Sequence, residues 1–194
     1  MILGSHNSWS YLKPKKLWMK ALAFTAKCQE KNIVEQYVNY NVRCFDLRIR
    51  FDGRTPHIVH NDFDYGRLND IDKDLMWLNG KGDVWIRMVH DVRKKKEHTP
   101  ASIENFQQLC EALKRDFPKL KFWCGRNLED WEKDYDFGPE PKCTELYASV
   151  CPPKIVDDWY PHRYAKKHNE NIYKNVAPTM EDDEILLIDF VNIK

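Results

Sequence analysis

Val42-Arg43-Cys44-Phe45-Asp46-Leu47-Arg48-Ile49-Arg50-Phe51, followed after a short turn by His57-Ile58-Val59-His60-Asn61, is the stretch from which the rest of the chain is read. Successive strand side chains point to opposite sides. Phe45, Leu47, Ile49 and Phe51 therefore share one face, and Cys44, Asp46, Arg48 and Arg50 the other. Asp52-Gly53-Arg54-Thr55-Pro56 reads as a turn, and His57 to His60 as a second short strand ending in a histidine. A charged face of this kind is stable when solvated on an edge strand, or when its members pair inside a cleft. The histidine strand beside it favours the cleft.

Outward from there, Ile2-Leu3-Gly4-Ser5-His6 is a short apolar run that stops at polar residues, as a buried strand does where it emerges. Residues 17–40 read as one or two helices, Asp70 to Leu78 as a short helix, and Asp83 to Asp91 as a strand with Arg87, Val89 and Asp91 on one face and His90 on the other. Ser102, followed by Ile103, Phe106, Leu109 and Leu113, predicts a helix over 102–116. Lys121 to Cys124 and Leu146 to Val150 are strand candidates, and Ile185 to Val191 reads as a doubly covered parallel strand ending in an acid. Alternating strands and helices predict an α/β sheet or barrel. His6, Asp46 with Arg48, His60, Asp91 and Asp189 each fall toward the C-terminal end of a different predicted strand, where a (β/α) barrel gathers its chemistry. No strand is visible between Val150 and Glu184, and 194 residues are few for a barrel of typically ~250. The expectation is one domain, residues 1–194, forming a TIM-type barrel that is trimmed or distorted.

Lys and Arg number 31 against 30 Asp and Glu, so no bulk field draws the chain to nucleic acid, and an anionic partner has to be recognised locally. The start lacks a basic segment and a long apolar core, and no apolar run is long enough for a transmembrane segment. Six cysteines without a C-x-x-C pair fit neither a disulfide scaffold nor a zinc ribbon. A soluble, cytoplasmic protein with reduced thiols and no signal peptide is expected.

Gly4-Ser5-His6-Asn7-Ser8, Val42 to Arg48, Ile58-Val59-His60 and Leu187-Ile188-Asp189-Phe190-Val191 together resemble the motifs of the X-domain family of phosphatidylinositol-specific phospholipases C. The resemblance covers both ends of the chain and is weak in the middle. It implies a general base, His6, acting on the inositol 2-hydroxyl, which attacks the neighbouring phosphodiester, and an acid, His60, that protonates the leaving alcohol. Imidazoles suit both tasks because either protonation state is accessible near neutrality. The resemblance further implies that Asp189 orients His6 and that Arg48, beside Asp46, stabilises charge on the phosphate. Metal-dependent members carry Asn after the first histidine and an acid two positions beyond the first acid of the second motif, whereas bacterial members carry Asp and Arg there. This chain combines Asn7 from the first pattern with Arg48 from the second. An arginine in place of a ligand carboxylate repels a divalent cation, so no metal and no cofactor are expected. In the bacterial pattern the residue at the place of Asn7 supports the acid histidine, and Asn61 stands where the family usually has glycine.

Arg87 and Asp91 read either as a structural ion pair near the barrel mouth or as substrate contacts, with Asn7 also on the substrate side. Trp159 to Tyr164 reads as a loop in which Arg163 and Tyr164 bind a polyol or phosphate ligand or pack against the core. Lys13 to Lys16 and Arg93 to Lys96 are either solvated or touch an anionic lipid surface, which makes a phosphoinositide at a membrane one candidate partner. Two other functions compete. A glycerophosphodiester phosphodiesterase-like hydrolase needs a metal held by Glu-x-Asp, which is Asp46-x-Arg48 here. A non-catalytic barrel would bind inositol phosphates or phospholipids and turn nothing over.

Overall fold

The computed structural model describes residues 1–92, 99–124, 140–151 and 160–193. Its strands are β1 (Ile2–Ser5), β2 (Cys44–Asp52), β3 (Thr55–His60), β4 (Phe63–Arg67), β5 (Val84–His90), β6 (Leu120–Cys124), β7 (Cys143–Leu146) and β8 (Ile185–Ile188). The helices are α1 (Leu17–Ala21), α2 (Ile33–Tyr40), α3 (Asp72–Asn79), α4 (Pro100–Asp116) and α5 (Pro161–Asn171).

Six strands pair in parallel in the order β6-β5-β2-β1-β8-β7. β2 spans nine residues and β1 only four, so β1 covers just the start of one edge of β2, at Cys44 and Phe45. The antiparallel hairpin β3-β4 takes up the rest, from Ile49↔Ile58 to Asp52↔Thr55. His60 thus reaches the site by running back along β2, and not at the end of a barrel strand.

The parallel strands curl strongly. Ile2, Cys44, Trp85, Trp123, Cys143 and Ile185, one from each, pack in a single cluster on the inner face. Gly4 permits this, because a Cβ there would lie 2.9 Å from Leu187 Cδ1 and 3.3 Å from Cys44 Cβ. Arg87 of β5 reaches Glu145 of β7 at 2.6 Å, although four strand pairings separate the two along the ladder. Even so, among the described residues no ladder joins β6 to β7, so the expected closed barrel is not found and the sheet is open. Barrel closure requires strand number, tilt and stagger to match. Here two of the eight strands are spent on the hairpin, and the segment where no eighth barrel strand was legible holds α5 and a π-helical turn, Ile172–Val176.

The other face of the sheet is apolar. Phe45, Leu47, Ile49, Ile86 and Met88 pack with Ile33 of α2, Leu75 and Leu78 of α3 and Phe106 of α4 in one core. Each such side chain contributes about 1.5–3 kcal/mol by leaving water. α2 begins in a capping box, with Asn32 accepting from Glu35 N at 2.9 Å, and stops at Asn41 in the left-handed region. Of the one or two helices expected over 17–40 the structure forms two, α1 and α2, with a short helical turn at Ala23–Thr25 between them. α4 starts at Pro100 behind a Thr99 cap, earlier than Ser102, because Pro is favoured in the first turn. The expected strand Leu146 to Val150 is displaced to β7, and Tyr147 to Cys151 form turns. Trp159 and the basic run Arg93 to Lys96 lie outside the described residues. Among those described, no helix is long and apolar enough to cross a membrane.

Candidate active site

Inward parity brings Asp46 and Arg48 of β2, Arg87 of β5 and Glu145 of β7 to the inner face, with His6 and Asp189 just beyond β1 and β8. β1 and β8 are direct parallel neighbours, with Ser5 opposite Ile188. His6 and Asp189 consequently meet, Nδ1 to Oδ1 at 2.7 Å. A carboxylate only accepts, so Nδ1 carries the hydrogen and Nε2 holds a free lone pair. Nε2 is buried without a hydrogen-bond partner, 4.0 Å from Asp46 Oδ2. The second oxygen of Asp189 accepts from Ala148 N at 3.1 Å, and Tyr147 stacks flat on the His6 ring at 3.7 Å.

His60 stands edge-on to His6, with ring centroids 5.5 Å apart. Its Nδ1 is 2.8 Å from the Ala26 carbonyl, which again fixes the hydrogen on Nδ1, and Nε2 accepts from the Asn61 amide at 3.4 Å. The support expected from the residue at position 7 therefore comes from a backbone carbonyl. Asn7 instead donates its backbone N–H to Asp46 at 2.9 Å. Asn7 and Asn61, one after each histidine, have φ of 44° and 54°. Asn tolerates this left-handed region better than most residues with a side chain, so Asn61 does the backbone work of a glycine.

Asp46 is the anionic centre. It accepts from Arg48 Nε at 2.9 Å and Arg87 Nη1 at 3.3 Å in addition to Asn7 N. Burial opposes its charge, but Arg48 and then Arg87 outweigh burial and hold the carboxyl below its ordinary value. Among the described residues Arg48 donates only from Nε, which leaves its terminal amino groups for a ligand. Arg87 is tied on its other side to Glu145, which also accepts from the Tyr147 hydroxyl.

The remaining expected residues separate. Asp91 accepts from Asn61 N at 3.1 Å and pairs with Arg50 at 3.4 Å, while Arg87 pairs with Asp46 and Glu145, so the ion pair expected between Arg87 and Asp91 is not the one formed. His90 faces outward, stacked on Phe106 at 5.0 Å. Arg163 and Tyr164 lie on α5 and not in a loop. Arg163 lines an apolar cavity of about 320 Å³ with Phe24, Tyr160 and Phe190, while buried Tyr164 packs on His168 at 4.4 Å. Neither His6 nor His60 lines that cavity. Sequence reading missed Tyr147, Glu145 and Gln29 at the site, and Cys28 packed beside it. Gln29 ties the His6 and Ile188 carbonyls at 3.1 and 3.0 Å and accepts from Val191 N. Alternation of Glu145 and Tyr147 across a strand end was a usable signal; Cys28 and Gln29, in a non-repetitive segment, carry none.

Burial first, and then Arg48, lower the His6 pKa to about 3, against the pull of Asp189. The same two causes lower His60. Both rings are neutral in the folded state. Between about pH 3 and the unfolded value of 6.5 the unfolded chain binds more protons at His6, so stability falls as the pH drops through that window. The loss is expected to reach up to ~1.4 kcal/mol per pH unit for each histidine. Urea unfolding at pH 8 to 5 checks this: His6→Gln should flatten the slope, and an unchanged slope would contradict neutral burial.

Comparison with protein-family models, with curated proteins and with solved structures finds no match for this chain.

Proposed function

We propose that this protein is a phosphodiesterase of the phosphatidylinositol-specific phospholipase C type, cleaving its substrate by attack of a neighbouring hydroxyl without a metal. The observation that carries the reading is the His6–Asp189 pair, its bare Nε2 aimed inward beside His60 and the open guanidinium of Arg48. His6 Nε2 takes the proton of the vicinal hydroxyl, whose oxygen bonds to phosphorus. The bond from phosphorus to the alcohol oxygen breaks, and that oxygen takes a proton from Nε2 of His60, which the ring carries as an imidazolium once the phosphate anion is seated on Arg48. The products are a cyclic inositol phosphate and a free alcohol, diacylglycerol when the substrate is the lipid.

Three features support it. Arg48 lowers proton affinity at both rings, so a phosphodiester anion seated on Arg48 cancels that charge and favours protonating one of them. The two imidazoles stand edge-on with ring centroids 5.5 Å apart, close enough to serve as base and acid toward one phosphodiester. Asp46 already serves two guanidiniums and an N–H, which makes it a poor ligand for calcium or magnesium and disfavours the metal-dependent hydrolase.

A lipid surface fits the segment that leaves the site at Asn7 and returns at Cys28. Leu17, Trp18, Leu22 and Phe24 are 81%, 57%, 46% and 50% exposed there, among exposed Lys13, Lys15, Lys16 and Lys20. Apolar side chains bedded in basic ones suit an anionic membrane interface, each lysine adding about 1 kcal/mol. Phosphorus NMR of phosphatidylinositol vesicles and of soluble glycerophosphoinositol, both in EDTA, tests both parts. A cyclic phosphate is expected from each, with Trp18→Ala slowing the vesicle reaction only. A requirement for magnesium or calcium, or a linear monoester as first product, would contradict the reading.

A further inference from the structure

Cys28 has no part in phosphodiester cleavage, yet it is 1% exposed against the acid–base pair, with Sγ 3.8 Å from His60 Nδ1. We propose that His6, Cys28 and His60 form a site for a single zinc ion, and that the ion silences the enzyme by occupying both imidazoles.

One ligand atom from each of the three residues lies within 4.8 Å of the others. Zinc bonds of ~2.0–2.1 Å to nitrogen and ~2.3 Å to sulfur put tetrahedral ligand atoms roughly 3.5 Å apart, so the trio has to contract by about 1 Å. His6 Nε2 is the second, independent pointer. It is buried, carries a lone pair and has no hydrogen-bond partner. Its Nδ1 is held by the Asp189 carboxylate at 2.7 Å and that of His60, the nitrogen nearest Cys28, by the Ala26 carbonyl at 2.8 Å, so His60 ligates through Nε2, from which the Asn61 amide 3.4 Å away has to turn aside. Zinc-binding histidines are oriented in this way, with the far ring nitrogen tied to a carboxylate or a backbone carbonyl. Two imidazoles and a thiolate select a borderline-soft ion over calcium or magnesium and leave a fourth position for water or an anion. Arg48 opposes the ion; Asp46 and Asp189 offset it. On binding, a zinc–sulfur bond forms, the sulfur–hydrogen bond breaks, and the proton passes to the buffer.

The silencing half rests on the function proposed above, whereas the binding half does not, and the two have separate readouts. Cobalt(II) added to the reduced protein reports thiolate ligation through a charge-transfer band, and zinc then displaces it. One equivalent of cobalt, an intense band, and competition by zinc but not by calcium are expected. Cys28→Ser should abolish the band and weaken zinc by more than the roughly 10–100-fold that loss of a merely supporting residue costs. It should also keep turnover while losing inhibition by zinc. If the serine variant does not fold, Cys28→Ala replaces it, and Cys151→Ser, which should keep the band, controls for the other thiols. A band that survives in Cys28→Ser overturns the site. Zinc bound through Cys28 without loss of turnover overturns the silencing. If no phosphodiester is cleaved at all, the function proposed above fails while the cobalt readout still decides the site.

Discussion

Replacing His6 by glutamine is expected to lower kcat by about 10²–10⁴, the range typical for loss of a positioned proton-transfer group. Glutamine keeps an N–H for Asp189 and a similar volume, so the first turn after β1 has no reason to move. Among the described residues no other base without a hydrogen-bond partner stands at this point, so no neighbour takes over the proton. KM should change little, because the proposed mechanism places the phosphate on Arg48. His60→Gln should cost a similar factor. The double variant should be scarcely slower than either single one, since groups that act in one proton relay are not additive. Steady-state kinetics on a soluble inositol phosphodiester measure all three. Turnover of His6→Gln near that of the unmodified protein would remove His6 as base.

The second large effect is on stability. Asp46→Asn keeps the shape of the side chain but removes the charge that balances Arg48 and Arg87, which are 8% and 1% exposed. Breaking a buried pair from one side typically costs about 3–5 kcal/mol, because the remaining charge is stranded. Arg87 retains Glu145, whereas Arg48 has no other acidic partner among the described residues, so the strain falls on Arg48. Chemical denaturation should show a loss in that range. A loss below about 1 kcal/mol, the value of an exposed pair, would mean that water reaches the arginines freely.

Much of this site was legible because strand parity is unforgiving. A one-residue shift in β2 would have sent Asp46 and Arg48 into the apolar core with Phe45 and Leu47. The parallel pairing of the first and last strands, which delivers Asp189 to His6, followed from expecting the sheet to close on itself, and it holds although the ladder stays open between β6 and β7. Antiparallel β3 was not legible, because a short apolar run looks the same in either direction. Nor was α5, where Pro161 and His162 mask a helix whose buried face is only Tyr164, Ala165 and Asn169. Asn7 and Asn61 were legible as departures from a pattern but not in their meaning, since a positive φ leaves no mark on one sequence. Tyr147 lies just past β7, in phase with Glu145, whereas Cys28 reaches the histidines from a segment without regular structure, where no periodicity reports direction.

In the proposed mechanism Arg48 does the work a metal ion would otherwise do, and every other step depends on it. The most direct measurement is the turnover of Arg48→Lys in EDTA against that of the unmodified protein. A lysine keeps the charge but loses the planar fork that follows the phosphate as its charge grows. Turnover is expected to fall by ~10²–10³ with KM nearly constant and no recovery on adding calcium. Turnover close to the original would instead show that Arg48 merely balances Asp46.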